Sequence, residues 1–550
     1  MAQSLTSRIP GRYLAPALVA ASRRTLVEDW RGSGFGRWLA RGPRPTGFSD
    51  APRPVRPVSP LVGCRVLEGV LALAGEILIF GPGGEAWDRP CPTRAFAVAL
   101  HSFEWLPHLM AANPGGPGEA LRLVLAWRRQ FGAWSSFSWS EQVLIRRAVN
   151  LACAGAALAE RASETEAALI AASLERQARL LLGAGDPATR AERAAAAAIA
   201  ATALTGAASQ RLLARALLQL VRALGRALDP DGGHRSRRAD AALALLLDLM
   251  TLDAALSRRG RATPDGVLRA MDRLSEAVRF FTLADGGLSA QQGGAQTQIA
   301  AADRRGAVEP GPHPVRCNGY QRMDSHVLQV IADCAPPPCG PWSVSAGAQP
   351  MGLEVLAAGR RLIAASVGRS QAQASALIVG ERPTGRILKG FVGRTLGARL
   401  VEAAAVIAVQ RHEGPGAVWL DIDYRGWLGR FGLLHQRRLY LDTAAGELRG
   451  EDRLTPTAKA QGPDGRHFVP YTLRFQLEPE VSVLVSQDRR SALLKIAGTQ
   501  RGWILRNDIL DIAVEPTSGA ARPSQQLVLR GQRRADSGAR VRWKLGPAEA

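Results

Sequence analysis

The sequence has little lysine, no long apolar run and no paired cysteines, and each scarcity excludes something. Only Lys389, Lys459, Lys495 and Lys544 are lysines, so a chain with 70 Lys+Arg against 48 Asp+Glu, formal net charge +22, is basic almost wholly through arginine. Guanidinium groups pair bidentately with carboxylate, sulfate or phosphate, which fits a polyanionic partner. A GC-rich genome, supplying Ala, Arg and Gly in place of Lys and Asn, accounts for the same excess with no partner at all. No stretch reaches the roughly 18 strongly apolar residues that span a bilayer, and the nearest, Ala194 to Ala208, is Ala-rich between Arg193 and Arg211. The six cysteines form no CxxC pair and have no histidine at ligand spacing, so no metal site is expected. A Cys334–Cys339 disulfide stays open beside the alternative of isolated buried thiols. Aromatic residues do not interleave with the basic runs, so no nucleic-acid partner is expected. Gly81-Pro-Gly-Gly lacks the Lys-Ser/Thr of a phosphate loop, and no cofactor is implied.

What is present is a globular chain of several domains. With 46% hydrophobic residues over 550 positions it is neither disordered nor small enough for one simple core. Residues 1–64 read as a basic N-terminal segment and a Pro-rich connector, Pro43 to Pro60. The run Tyr13 to Ala21 is interrupted by Pro16 and followed by Arg23 and Arg24, which fits an amphipathic helix packing on the next domain better than a secretory signal. Neither the compartment nor the oligomeric state follows from the sequence.

From residue 65 to 314 the apolar period is 3.6. Leu213, Leu217, Leu220, Leu224 and Leu228 line one stripe and Arg211, Arg215, Arg222 and Arg226 another. Leu245, Leu249, Leu252 and Leu256, then Val267, Met271, Leu274, Val278 and Phe281, repeat the device. Glycine turns at Asp231-Gly-Gly and Asp285-Gly-Gly are spaced for two intervening helices, and helical hairpins of this kind stack into an α/α toroid. From 315 to 550 the period becomes two. Val418, Leu420, Ile422 and Tyr424 share one strand face, Val481, Val483 and Val485 another, and Tyr440 to Leu448 reads as a hairpin. Strands following helices predict a separate antiparallel β-sandwich.

This order, with Phe103-Glu-Trp-Leu, Asp231-Gly-Gly-His-Arg-Ser-Arg and Leu434-His-Gln-Arg-Arg-Leu-Tyr-Leu, resembles the heparinase II/III-like family, in an alphaproteobacterial branch. The resemblance implies a polysaccharide lyase that cleaves beside a uronic acid by β-elimination, with an acidic polysaccharide as partner. That reaction needs a cation or hydrogen-bond donor on the uronate carboxylate, a base for the carbon-5 proton and an acid for the leaving oxygen. The family's apparatus has changed here. Residues 151–317 contain no Asn and no Tyr. The AHAG motif aligns with Ala346-Gly-Ala-Gln, which puts Gly347 in the histidine's place if Leu353-Glu354 matches the family's Phe-Glu pair. Gln476 and Glu478 stand where branch members tend to carry His. A weakened relative that only binds an acidic glycan or a cell-envelope polymer is therefore the alternative, and a helical scaffold for protein partners is a third reading.

The candidate catalytic groups are His234, Tyr320 and His435. His234 follows the Gly-Gly turn and serves either as a base or as a residue at a helix start. Tyr320 opens the sandwich, where it either reaches substrate or packs across the domain junction. His435 shares a strand face with Arg437 and serves either acid–base chemistry or a polar network. Arg237, Arg322 and Arg437 are the candidate carboxylate forks, and Trp105, with Trp127, Trp134 and Trp139, either stacks on sugar or packs the core.

Overall fold

A computed structural model describes residues 11–33, 45–50, 52–297, 312–348, 351–403, 407–457, 467–517, 522–534 and 536–548. Pro43, Gln349 and Lys459 of the sequence reading lie outside them.

The N-terminal half is an α/α toroid. Its long helices run Gly116–Phe131, Glu141–Ala159, Glu164–Leu181, Arg190–Thr202, Ala207–Ala227, Ala239–Arg258 and Asp265–Phe281. Helix Arg190–Thr202 sits at the centre, packed by its neighbours on several sides, and Ala194 to Ala201 are essentially inaccessible. Alanine is what such a position needs, because methyl side chains let surrounding helices approach closely at no rotamer cost. The run nearest to a membrane segment is thus the buried end of a core helix followed by a turn into the next helix, and among the described residues no helix is long and apolar enough to cross a membrane. The leucine stripes pack as their period requires: Leu213, Leu220, Leu224, Leu245, Leu252 and Leu274 are all buried in one core.

The C-terminal half is an antiparallel β-sandwich of a nine-stranded and an eight-stranded sheet. The nine-stranded sheet lies between two layers. One face shares a core with the second sheet, while Cys317, Tyr320, Ile331 and Leu356 join the toroid's core. Its strand Leu353–Ala357 is accordingly buried at every position, the pattern of a strand with no wet face. The eight-stranded sheet has one solvated face, and strand Leu433–Asp442 alternates between buried and accessible positions throughout.

The N-terminal helix Leu14–Gly32 corrects the expectation that it packs on the following domain. It docks instead on the sandwich, where Ala17 meets Leu388 and Val392, Arg24 donates to the Thr395 carbonyl and Arg12 pairs with Glu402 at 3.0 Å. Only the small Ala17 face is covered, and Leu18, Val19 and Leu26 stay exposed. The connector is held to the toroid by Arg56, which pairs with the buried Asp248 at 3.0 Å. All six cysteines are free thiols.

Candidate functional site

The toroid and sandwich meet around the turn Asp229-Pro-Asp-Gly-Gly-His. Gly232 adopts φ +102°, and a Cβ on Gly233 would fall 2.3 Å from the Asn318 side chain, so this turn presses on the first residues of the sandwich with no room for another residue. The Asn318 amide returns a bond to the His234 carbonyl at 2.7 Å. Beside the turn, the loop Ala335-Pro-Pro-Pro-Cys forms the opposite wall of a cavity of about 580 Å³.

The chemistry of this trough is mixed rather than uniformly basic. Its lining carries Asp229, Asp231, Arg235, Arg237 and Trp342. Burial raises the Asp229 carboxyl above its ordinary value, with Arg235 opposing the shift. The Arg235 guanidinium lies 5.3 Å over the Trp342 ring and 3.6 Å from Asp229. It remains 41% exposed. Arg237 is spent on structure: it donates to Asp333 at 2.6 Å and to the carbonyls of Asn318, Ala335 and Pro336 at 2.9, 3.2 and 2.9 Å. These bonds hold it at φ +58°, a conformation that non-glycine residues keep only when their surroundings over-determine it. The fork expected to bind uronate therefore ties the toroid to the sandwich, and the expectation of a guanidinium-lined groove reduces to Arg235.

The other candidates are likewise closed into internal networks. His234 is 4% exposed, with Nδ1 2.7 Å from Ser236 Oγ and Nε2 3.3 Å from Glu192. Tyr320 is fully buried against Phe281. Its hydroxyl donates to the Arg237 carbonyl at 3.2 Å, and burial raises its pKa well above the usual phenol value. Arg322 donates to the Phe280 and Thr282 carbonyls at 2.7 and 2.8 Å, stitching the last toroid helix to the sheet. His435 lies inside the sandwich with Nε2 2.8 Å from Asp452, and burial lowers its pKa. Arg437 meets both Asp452 oxygens at 2.7 and 3.0 Å and the Met351 carbonyl at 2.6 Å. Trp105 packs in the toroid core and donates to the Leu100 carbonyl at 3.2 Å; Trp127 and Trp139 are core residues too.

Three groups that carry these networks were not singled out from the sequence. Asp452 stands directly across the ladder from Arg437, a pairing that strand register reveals and composition does not. Asp333 ends the strand Leu328–Asp333 and Trp342 lies in the short 3-10 helix Gly340–Ser343, where no periodicity marks them. Glu354, noted above only as a motif residue, accepts bonds from Ser289 at 2.5 Å, Gln291 at 2.9 Å and Arg361 at 3.0 Å; burial pushes its carboxyl up to about 7. Among the described residues the trough is lined by no imidazole, phenol or amine, and no cluster of three or more His, Cys, Asp or Glu could hold a metal ion.

Comparison with known proteins agrees with this architecture. A heparinase II/III-like C-terminal family model matches residues 309–544. The FtsZ-localized protein C of Caulobacter vibrioides (strain NA1000 / CB15N) is 42% identical over 570 residues, covering 99% of this chain and 98% of that protein. Among solved structures, a heparinase III superposes with TM-score 0.64 at 12% identity, over 86% of this chain and 80% of the other. A mutant of the heparan sulfate lyase HepC from Pedobacter heparinus gives TM-score 0.59 at 12% identity over 98% and 90%. These structures share the toroid and sandwich. The chain belongs to the heparinase II/III-like family.

Proposed function

We propose that this protein uses the heparinase II/III-like scaffold to bind an acidic glycan at the domain junction without cleaving it, and that it localises with FtsZ, as the name of its Caulobacter relative says of that protein. One observation carries the first part: the three candidate acid–base side chains named from the sequence, His234, Tyr320 and His435, are all buried and bonded inward. β-Elimination needs a base and an acid at the same substrate-exposed cleft. The trough offers instead a recognition surface, an accessible guanidinium stacked on an indole beside two carboxylates. Arg235 supplies a fork for a uronate or sulfate group, and Trp342 an apolar face for a sugar ring.

The lyase reading remains the competing function, supported by the fold it shares with heparan sulfate lyase HepC. Incubating the protein with a panel of uronate polymers separates the two. Binding seen by calorimetry with no rise in the ultraviolet absorbance of unsaturated products supports the binder. Turnover that is lost on His234→Ala or His435→Ala, in proteins that remain folded, overturns it. Imaging a fluorescent fusion beside labelled FtsZ tests the localisation, and a diffuse signal rejects it.

A further inference from the structure

A second cavity, on the sandwich and sharing no lining residue with the trough, has the composition of an anion site. It measures about 340 Å³ and is lined by Arg382, Thr384, Arg386, Glu402, Trp427 and Arg430, with three glycine and proline positions completing the wall. The loop 380–385 follows strand Leu377–Val379, Arg386 begins a two-stranded ladder with Leu400–Val401, and Trp427 and Arg430 belong to the turn after Tyr424. The parts are fixed. Tyr424 is buried with its hydroxyl bonded to Thr384, and a Cβ on Gly426 would sit 2.1 Å from that hydroxyl.

Charge decides the ligand class. Three guanidinium groups face one carboxylate, and Glu402 is shared between Arg386 at 3.4 Å and Arg12, in the single turn Gly11–Tyr13 before the N-terminal helix, at 3.0 Å. Arg382 and Arg430 are exposed at the rim; Arg430 donates to the Pro383 carbonyl at 3.3 Å, and among the described residues no carboxylate lies within ion-pair distance of either. Trp427, 1% exposed, lines the same cavity, and its Nε1–H has no acceptor among the described residues. A buried donor left unsatisfied costs about 1–3 kcal/mol, so an acceptor oxygen brought by a ligand would relieve it. The cavity's surplus is at least two positive charges, three lining guanidinium groups less Glu402, which a phosphate monoester matches with its charge of about −1.5 to −2 at neutral pH. A uronate or a phosphodiester brings only one.

We infer that this cavity binds inorganic phosphate or the phosphate of a monoester, held by Arg382, Arg386 and Arg430. The site is independent of the glycan proposal, since it shares no residue with the trough. The test uses the full chain. Isothermal titration with sodium phosphate, at ionic strength matched with chloride, should show saturable binding, and Arg382→Gln with Arg430→Gln should weaken it at least tenfold. Arg453→Gln, at an exposed position on the outer sheet, should leave it unchanged. Arg382→Glu alone, also at an exposed position, should abolish it in a protein whose thermal transition is native. Binding of equal strength in the Arg382/Arg430 variant, or none in the native chain, overturns the inference. Capture of glucuronate, or of vesicles of phosphatidylglycerol, through Arg382 and Arg430 in preference to phosphate overturns the assignment to a dianion.

Discussion

Replacing Glu354 by Gln should remove a pH dependence that the native protein shows between mildly acidic and neutral solution. The carboxyl is fully buried on strand Leu353–Ala357, and desolvation raises it from 4.5 to about 7 despite Arg361 and the donors Ser289 and Gln291. Glu478 adds a repulsive charge, and Asp285 pairs with the same Arg361 at 2.6 Å. The folded state therefore holds a proton that the unfolded chain releases in this interval. Its stabilisation is complete below pH 4.5 and is lost as pH rises through about 7. With 1.36 kcal/mol for each pKa unit, the native protein should lose about 3 kcal/mol of stability across that window. Urea unfolding at half-unit pH steps measures this directly. Glu354→Gln keeps the shape and a neutral partner for Ser289, and its stability should be flat over the same range apart from contributions common to both proteins. Parallel curves for the two proteins, or a native stability that rises from pH 5 to 7, would refute the reasoning. Ser289 and Gln291 lie just after the last toroid helix and Glu354 in the sheet, so the same experiment reports on the domain junction.

Asp452→Ala should cost about 3–5 kcal/mol, because it leaves the Arg437 guanidinium buried without its carboxylate. A loss under about 1 kcal/mol in chemical denaturation would mean that the network is not structural. The Asp452 carboxyl is held far below the carboxylate range by Arg437 and His435, so its contribution is present above that range and disappears only in stronger acid. Arg235→Ala and Trp342→Ala should each weaken binding of an acidic oligosaccharide about tenfold, or 1.4 kcal/mol, by calorimetry; unchanged affinity in both would remove the trough from the function. His101 should stay neutral at pH 7, since burial and Arg147 lower its pKa to about 4 and Trp127 Nε1 donates to its Nδ1 at 3.0 Å. Its ring resonances should not titrate between pH 8 and pH 6, and a midpoint in that range would contradict the placement.

The family likeness and the proposed loss of its chemistry are compatible because they rest on different residues. Toroid and sandwich are specified by dozens of apolar positions, whereas β-elimination depends on a handful of side chains facing one cleft. At the junction this chain uses its polar side chains for packing. Arg237, Tyr320 and Arg322 bridge the two halves by bonds to carbonyls and to Asp333.

The sequence alone determined the two architectures. Period 3.6 places Leu213, Leu220 and Leu274 inside a helical core, and period two places Leu420, Ile422 and Leu494 inside a sandwich, because burial of one face is a local property that spacing records. It also located the turn at Gly232 and Gly233, where close approach excludes larger residues. Tertiary structure decided which polar residues are available to a ligand. Arg235 and Arg237 stand two apart in one motif, yet the first stays 41% exposed and the second is enclosed by the sandwich. His435 and Arg437 were correctly placed on one strand face, but that face is the interior, opposite Asp452 on the neighbouring strand. Whether a charged side chain catalyses, binds or braces is set by partners many residues away, and no local pattern encodes them.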